Sequence, residues 1–162
     1  MHRYSIFLLS LLTVLPARAN LGDNVKQCVA RYGAPISYSE ANAQTPFGTL
    51  LFVDAGYALM VFLLGDKEVG ARVTKTDKTA FTDAERQTIM NADLGGSQWT
   101  ATTSARPDCV EWSRADQATV IYDTKNKMLI FTSEEMAKAL LTAPTGPDPA
   151  VKPQAVKPAA GN

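Results

Sequence analysis

Between Thr49 and Thr74 three apolar runs are separated by two turn signals, a spacing that commits this part of the chain to an antiparallel sheet. Thr49 to Val53 and Tyr57 to Leu64 are rich in apolar and aromatic side chains and are divided by Asp54-Ala55-Gly56. Leu64-Gly65-Asp66-Lys67 reads as a second turn. After it, Val69, Ala71 and Val73 alternate with Gly70, Arg72 and Thr74, the period-2 pattern of a strand with one buried and one wet face. The near-continuous apolar middle run is expected at the centre of this meander, with both faces covered.

Helices flank the meander. Val25, Cys28, Val29 and Tyr32 fall at i, i+3, i+4 and i+7, with Asp23 or Asn24 as cap, Gly33 at the end and Pro35 as a stop. Ile36 to Thr45 reads as a polar loop. Thr82-Asp83-Ala84-Glu85 has capping-box spacing and opens a helix to about Ala92, stopped by Gly95-Gly96. Ser97 to Arg114 holds Trp99 and Trp112 in polar surroundings, with short strands around them at most. Thr119 to Tyr122 and Met128 to Phe131 form a hairpin. Thr132-Ser133-Glu134-Glu135 then opens a last helix with Met136, Ala137, Leu140 and Leu141 on its apolar face, closed by Pro144. The expected class is α+β: an antiparallel sheet of about five strands, meander plus hairpin, with three short helices packed on it.

The two ends read differently. His2 and Arg3, the apolar stretch Ile6 to Leu15, and the small-x-small site Ala17-Arg18-Ala19 make residues 1–19 a cleavable export signal, so that the mature chain begins at Asn20. The apolar stretch is shorter than the roughly 20 residues a spanning helix needs. Residues 20–143 are expected to be one domain. Residues 144–162, rich in proline, alanine and lysine, are expected to be a disordered tail, either inert or a spacer or polyproline ligand.

Export limits the chemistry. It removes His2, the only histidine, and so the usual Ser-His-Asp and Cys-His nucleophiles and histidine metal sites. No cofactor or metal site is expected. It also places Cys28 and Cys109 in an oxidising compartment, where an even pair reads first as a structural disulfide closing a loop of about 80 residues; two buried thiols are the alternative. With Arg3 and Arg18 gone, 14 basic residues face 16 acidic ones and no basic stripe appears, so nucleic acid is not an expected partner. There is no transmembrane segment. Trp99 and Trp112, with Arg114 beside them, are the candidate binding residues, or else core. Glu111 and Asp116, flanking Trp112, are the only carboxylates that suggest a glycosidase-like pair.

Asn24 to Thr76, a helix ending in Tyr32-Gly33-Ala34-Pro35 and leading through a polar loop to strands with Val61-Phe62 and Val69, resembles the small SmpA/BamE-like envelope proteins and the related beta-lactamase-inhibitor-like repeats. The resemblance implies an exported α+β module acting by protein contact. Its outer-membrane members carry a lipid-bearing cysteine directly after the signal; Asn20 stands there, so a lipid anchor is not expected. The reading is thus a periplasmic or secreted, non-enzymatic binding or scaffold module of a bacterial-type envelope, whose partner is another envelope or secreted protein. The alternative is a carboxylate-dependent hydrolase of envelope polysaccharide.

Overall fold

The computed structural model describes residues 20–42, 45–93 and 97–143, so the expected signal and tail both lie outside the described residues. Eleven elements follow one another: α1 (Val25–Tyr32), β1 (Ser37–Ser39), β2 (Gly48–Asp54), β3 (Tyr57–Leu64), β4 (Lys67–Lys75), α2 (Asp83–Ala92), β5 (Thr100–Thr102), β6 (Cys109–Ser113), β7 (Thr119–Asp123), β8 (Met128–Thr132) and α3 (Glu134–Thr142). All eight strands belong to one antiparallel sheet in the order β1-β2-β3-β4-β8-β7-β6-β5. A helix followed by a four-stranded meander thus occurs twice, and the two meanders meet through their last strands, β4 and β8.

The expectation of about five strands is therefore corrected to eight. The additions are β1, β5 and β6. The first and second are three-residue edge strands with every side chain exposed, so no alternation marks them. Short edges of this kind also offer little backbone for another chain to pair with.

Local chemistry sets the helix ends. Asn24 Oδ1 accepts from the Gln27 amide at 3.0 Å while Gln27 Oε1 accepts from the Asn24 amide at 2.8 Å. Thr82 and Glu85 repeat this reciprocal box on α2, and Ser133 caps α3 through the Met136 amide. Each such cap contributes about 1 kcal/mol. Gly33 ends α1 at φ +82°, a conformation that favours glycine.

The sheet has two unlike faces. On one, Leu50, Val61, Ala71, Phe131, Val120 and Trp112 form a buried row across six strands, with Phe52, Leu59, Val73, Leu129 and Tyr122 in the next. Cys28, Val25 and Tyr32 of α1 and Ile89 and Met90 of α2 close this core. α3 packs on the opposite face through Met136 and Ala139, against Phe47, Phe62 and Val69. Leu140 and Leu141, expected on its buried face, are 54% and 86% exposed.

A β-bulge explains how Val69 comes to face α3. Phe62 pairs with Gly70 but Leu63 pairs with Glu68, leaving Val69 as the extra residue. The expected alternation of Val69, Ala71 and Val73 is broken there: Val69 turns to α3 and Glu68 is re-aimed into the core beneath α1. Gly70 lets α3 approach. A Cβ there would collide with Met136 Sδ and stand 2.8 Å from the Phe131 carbonyl oxygen.

The expected Cys28–Cys109 disulfide is also corrected: both cysteines are free. Cys28 is buried under α1, on the helix side of the sheet. In β6, Val110 and Trp112 pair with helix-side residues, so Cys109, of opposite parity, points to the other face. The sheet lies between the two side chains, and a disulfide needs Cβ atoms about 4 Å apart.

Two outcomes follow. Gly70→Ala should destabilise the fold by about 1–3 kcal/mol through overpacking against α3, read by chemical denaturation. A thiol reagent should titrate Cys109 in the native protein and Cys28 only after unfolding, with no change in electrophoretic mobility on reduction.

Candidate functional site

The bulge, α1, the end of α2 and the end of β6 bring ionisable side chains together on the helix side. Arg114 follows β6, where the turn is tied by its amide to the Ala118 carbonyl at 3.0 Å. Its Nη1 donates to Asp93 Oδ2 at 2.8 Å, and its Nε and Nη2 grip both oxygens of Asp116 at 2.9 and 2.8 Å. The Arg114 and Asp93 side chains are 1% and 0% exposed. The guanidinium lies 4.6 Å from the centre of the Trp99 ring. Burial works against its charge, but the hydrogen bonds and charges of Asp116 and Asp93 outweigh that and raise its pKa. Asp116 is held below the ordinary carboxylate range by Arg114.

The structure thus brings Trp99, Trp112 and Arg114 to one region, with Trp112 and Arg114 buried and Trp99 half-buried against them. Trp112 belongs to the buried core row. Trp99 donates from Nε1 to the Met90 carbonyl at 2.9 Å and meets Phe131 edge-on. Glu111 and Asp116 are not brought together: Glu111 lies on the opposite sheet face, in register with Ile121, while Asp116 is tied to Arg114.

Glu68 is the residue that sequence reading passed over. It is wholly buried. Its Oε2 accepts from the Cys28 thiol at 3.4 Å, and among the described residues Oε1 has no hydrogen-bond partner. Burial pushes its pKa up to about 8, against the lowering effect of the Cys28 hydrogen bond. Burial and Glu68 together push the Cys28 thiol up, so that it stays protonated as a donor. Tyr32 is pushed up first by burial and then by Glu68. Beside them, Arg31 pairs with Asp23 at 2.8 Å. A cleft of about 300 Å³ opens next to this cluster, lined by Leu21, Lys67, Arg114, Asp116, Ser133 and Glu135. Lys67 and Glu135 form an ion pair at its wall. Among the described residues no three His, Cys, Asp or Glu side chains are placed to hold a metal ion.

The other face is different in kind. One row runs across the whole sheet through Ser37, Leu51, Met60, Arg72, Ile130, Ile121, Glu111 and Thr102. α3 covers the neighbouring row at Gly70 and leaves this one half-exposed, and Val53 beyond it is 49% exposed. Arg72 stands at the centre. Its Nη2 donates to Met60 Sδ at 3.5 Å, and among the described residues no carboxylate pairs with it. Toward one end the face runs into a depression of about 580 Å³ lined by Ala58, Thr74, Lys75, Lys78, Lys125 and Lys127. Lys75 is paired with Glu85; the rest give that end a positive rim.

Two predictions come from the helix side. Arg114→Ala leaves Asp93 buried beside a lost cation and should cost about 3–5 kcal/mol, whereas Arg114→Met with Asp93→Leu should recover most of it. Glu68, in a chain whose Asn20 nitrogen is an amide, binds its proton more tightly folded than unfolded. Stability should therefore be fully present below the ordinary carboxylate pKa of 4.5 and fall as pH rises toward about 8. Glu68→Gln should remove that slope in urea titrations.

No helix among the described residues is long and apolar enough to cross a membrane. No protein-family model matches the chain, and no curated protein matches it in sequence. Among solved structures it is similar to an extracellular protein containing a SCP domain from Bacillus anthracis str. Ames, at 9% identity and a TM-score of 0.44, over 80% of this chain and 50% of that one. It is also similar to a cysteine-rich secretory protein from Staphylococcus aureus subsp. aureus Mu50, at 13% identity and a TM-score of 0.41, over 76% and 48%. The chain spans about half the length of each. Similarity at this level does not establish a shared fold or function.

Proposed function

We propose that the mature chain is an exported protein-binding module that acts by contact through the face of its sheet opposite α1 and α2. The partner is an envelope or secreted protein that presents apolar side chains around a carboxylate. The observation that carries this reading is Arg72, a guanidinium that no carboxylate among the described residues pairs with, set among Leu51, Met60, Ile121 and Ile130 on a half-exposed surface. Arginine at the centre of an apolar patch is a common anchor of protein interfaces, because it offers both a planar packing surface and a fork for a carboxylate. The lysine rim favours an acidic partner by steering its approach. Trp99, Trp112 and Arg114 take a supporting part here, as the packed interior behind the sheet. The export signal read in residues 1–19 and the resemblance of residues 24–76 to SmpA/BamE-like proteins agree with this reading.

The test is a photo-crosslinker placed at Met60 or Ile130 of the exported protein, with products identified by mass spectrometry and affinity then measured on the purified partner. One acidic exported partner should be captured, and Arg72→Glu should weaken its binding at least tenfold while leaving the melting temperature within about 2 °C, the change expected of a surface substitution. Binding unaffected by Arg72→Glu would contradict the proposal. So would capture of a second copy of this chain as the sole product.

A further inference from the structure

The segment Asn20–Asn24 lies along the start of β4 as a short strap. The Gly22 amide donates to the Glu68 carbonyl at 2.9 Å, the Glu68 amide donates to the Asp23 carbonyl at 2.7 Å, and Asn24 bridges to Lys67. Asn20 is fixed at both of its ends. Its Nδ2 donates to Asp23 Oδ1 at 2.7 Å, its carbonyl accepts from the Asp23 amide at 3.2 Å, and its backbone nitrogen lies beside the Glu68 carboxylate.

Charges around Glu68 are matched except at Glu68 itself. The strap and α1 present Asp23, Cys28, Arg31 and Tyr32; the end of α2 presents Asp93; β6 and its turn present Arg114 and Asp116; β4 carries Lys67. Arg31 is engaged by Asp23, Arg114 by Asp93 and Asp116, and Lys67 by Glu135. Among the described residues, every cation near Glu68 is thus committed to another carboxylate, while Glu68 Oε1 has no hydrogen-bond partner. A buried carboxylate in that position lacks its counter-ion.

We propose that the counter-ion of Glu68 is the α-ammonium group that appears on Asn20 when the leader is removed, and that this pair locks the strap onto the sheet. The inference rests on the reading of Ala17-Arg18-Ala19 as a signal-peptidase site. Hydrolysis of the Ala19–Asn20 amide consumes one water. The new carboxylate leaves on Ala19, and the Asn20 nitrogen becomes a primary amine that takes up a proton. The nitrogen beside the Glu68 carboxylate thereby gains a full positive charge. The precursor, with a neutral amide at that place, is the less stable form, and the lock closes only after the leader has gone.

The test compares residues 20–162 bearing a free α-amino group with the same chain acetylated at Asn20, each with Glu68 and with Glu68→Gln, alongside mass spectrometry of the exported protein's N-terminus. The exported chain should start at Asn20. An opposite charge within about 4–6 Å moves a carboxyl midpoint by about 1–3 pH units, so acetylation should lower the melting midpoint at pH 7 by about 5–10 °C. Glu68→Gln should stabilise the acetylated chain, destabilise the free-amine chain, and so erase the difference between them. Equal midpoints for the free and acetylated chains with Glu68 present would overturn the lock while leaving the export reading intact, and that comparison needs no substitution. An acetylation effect that survives Glu68→Gln would also overturn it. A start other than Asn20 would remove the cleavage site and the lock together.

Discussion

The structure turns on one extra residue in β4. The bulge at Val69 does two things that a regular strand could not. It gives α3 an apolar seat beside Gly70 on one face, and it sends the Glu68 carboxylate into the interior on the other. A buried acid is costly unless it is neutral or paired. The packing around it follows from that constraint: a cysteine held as a thiol donor, a strap whose backbone straddles Glu68 on both sides, and neighbouring arginines already bound to other acids.

The two faces of the sheet consequently divide the work. The helix side is largely packed and carries its charges in paired form except at Glu68, most completely around Arg114, whose charge is shared between Asp93 and Asp116 and faced by Trp99. Such an arrangement fixes the turn after β6 against the end of α2, and its loss is expected to be felt as stability. The other side is open. Its central row passes from apolar residues to one arginine that no carboxylate among the described residues pairs with, and its end is rimmed by lysines. Specificity at a surface of this kind comes from the one charge that a partner must answer.

Much of the fold was legible where local signals are strong. The stripe Val25, Cys28, Val29, Tyr32 and the box Thr82–Glu85 mark α1 and α2, with the α1 cap left between Asp23 and Asn24, and the apolar runs mark β2, β3, β7 and β8. The edge strands were not legible, because an exposed three-residue strand takes its conformation from its neighbour and not from its own pattern. Nor was the bulge: Val69, Ala71 and Val73 alternate in sequence, and only the pairing of Leu63 with Glu68 shows that the alternation breaks. The candidate site suffered for the same reason. Arg114 drew notice beside the tryptophans, but its buried partner Asp93 lies 21 residues away. The cysteines looked like a bond because composition and compartment say nothing of which face of a strand a residue occupies. Glu68 sat between a turn signal and the alternating run and drew no reading of its own.

The most direct test of this account is the ionisation of Glu68 itself, followed by the carboxyl carbon resonance of isotopically labelled glutamate in the chain acetylated at Asn20, with Glu68→Gln to assign the signal. A midpoint near 8 is predicted for a carboxyl that the bulge has buried without a cation. A midpoint near the ordinary 4.5 would place Glu68 in water, and the bulge would then lose the role given to it here.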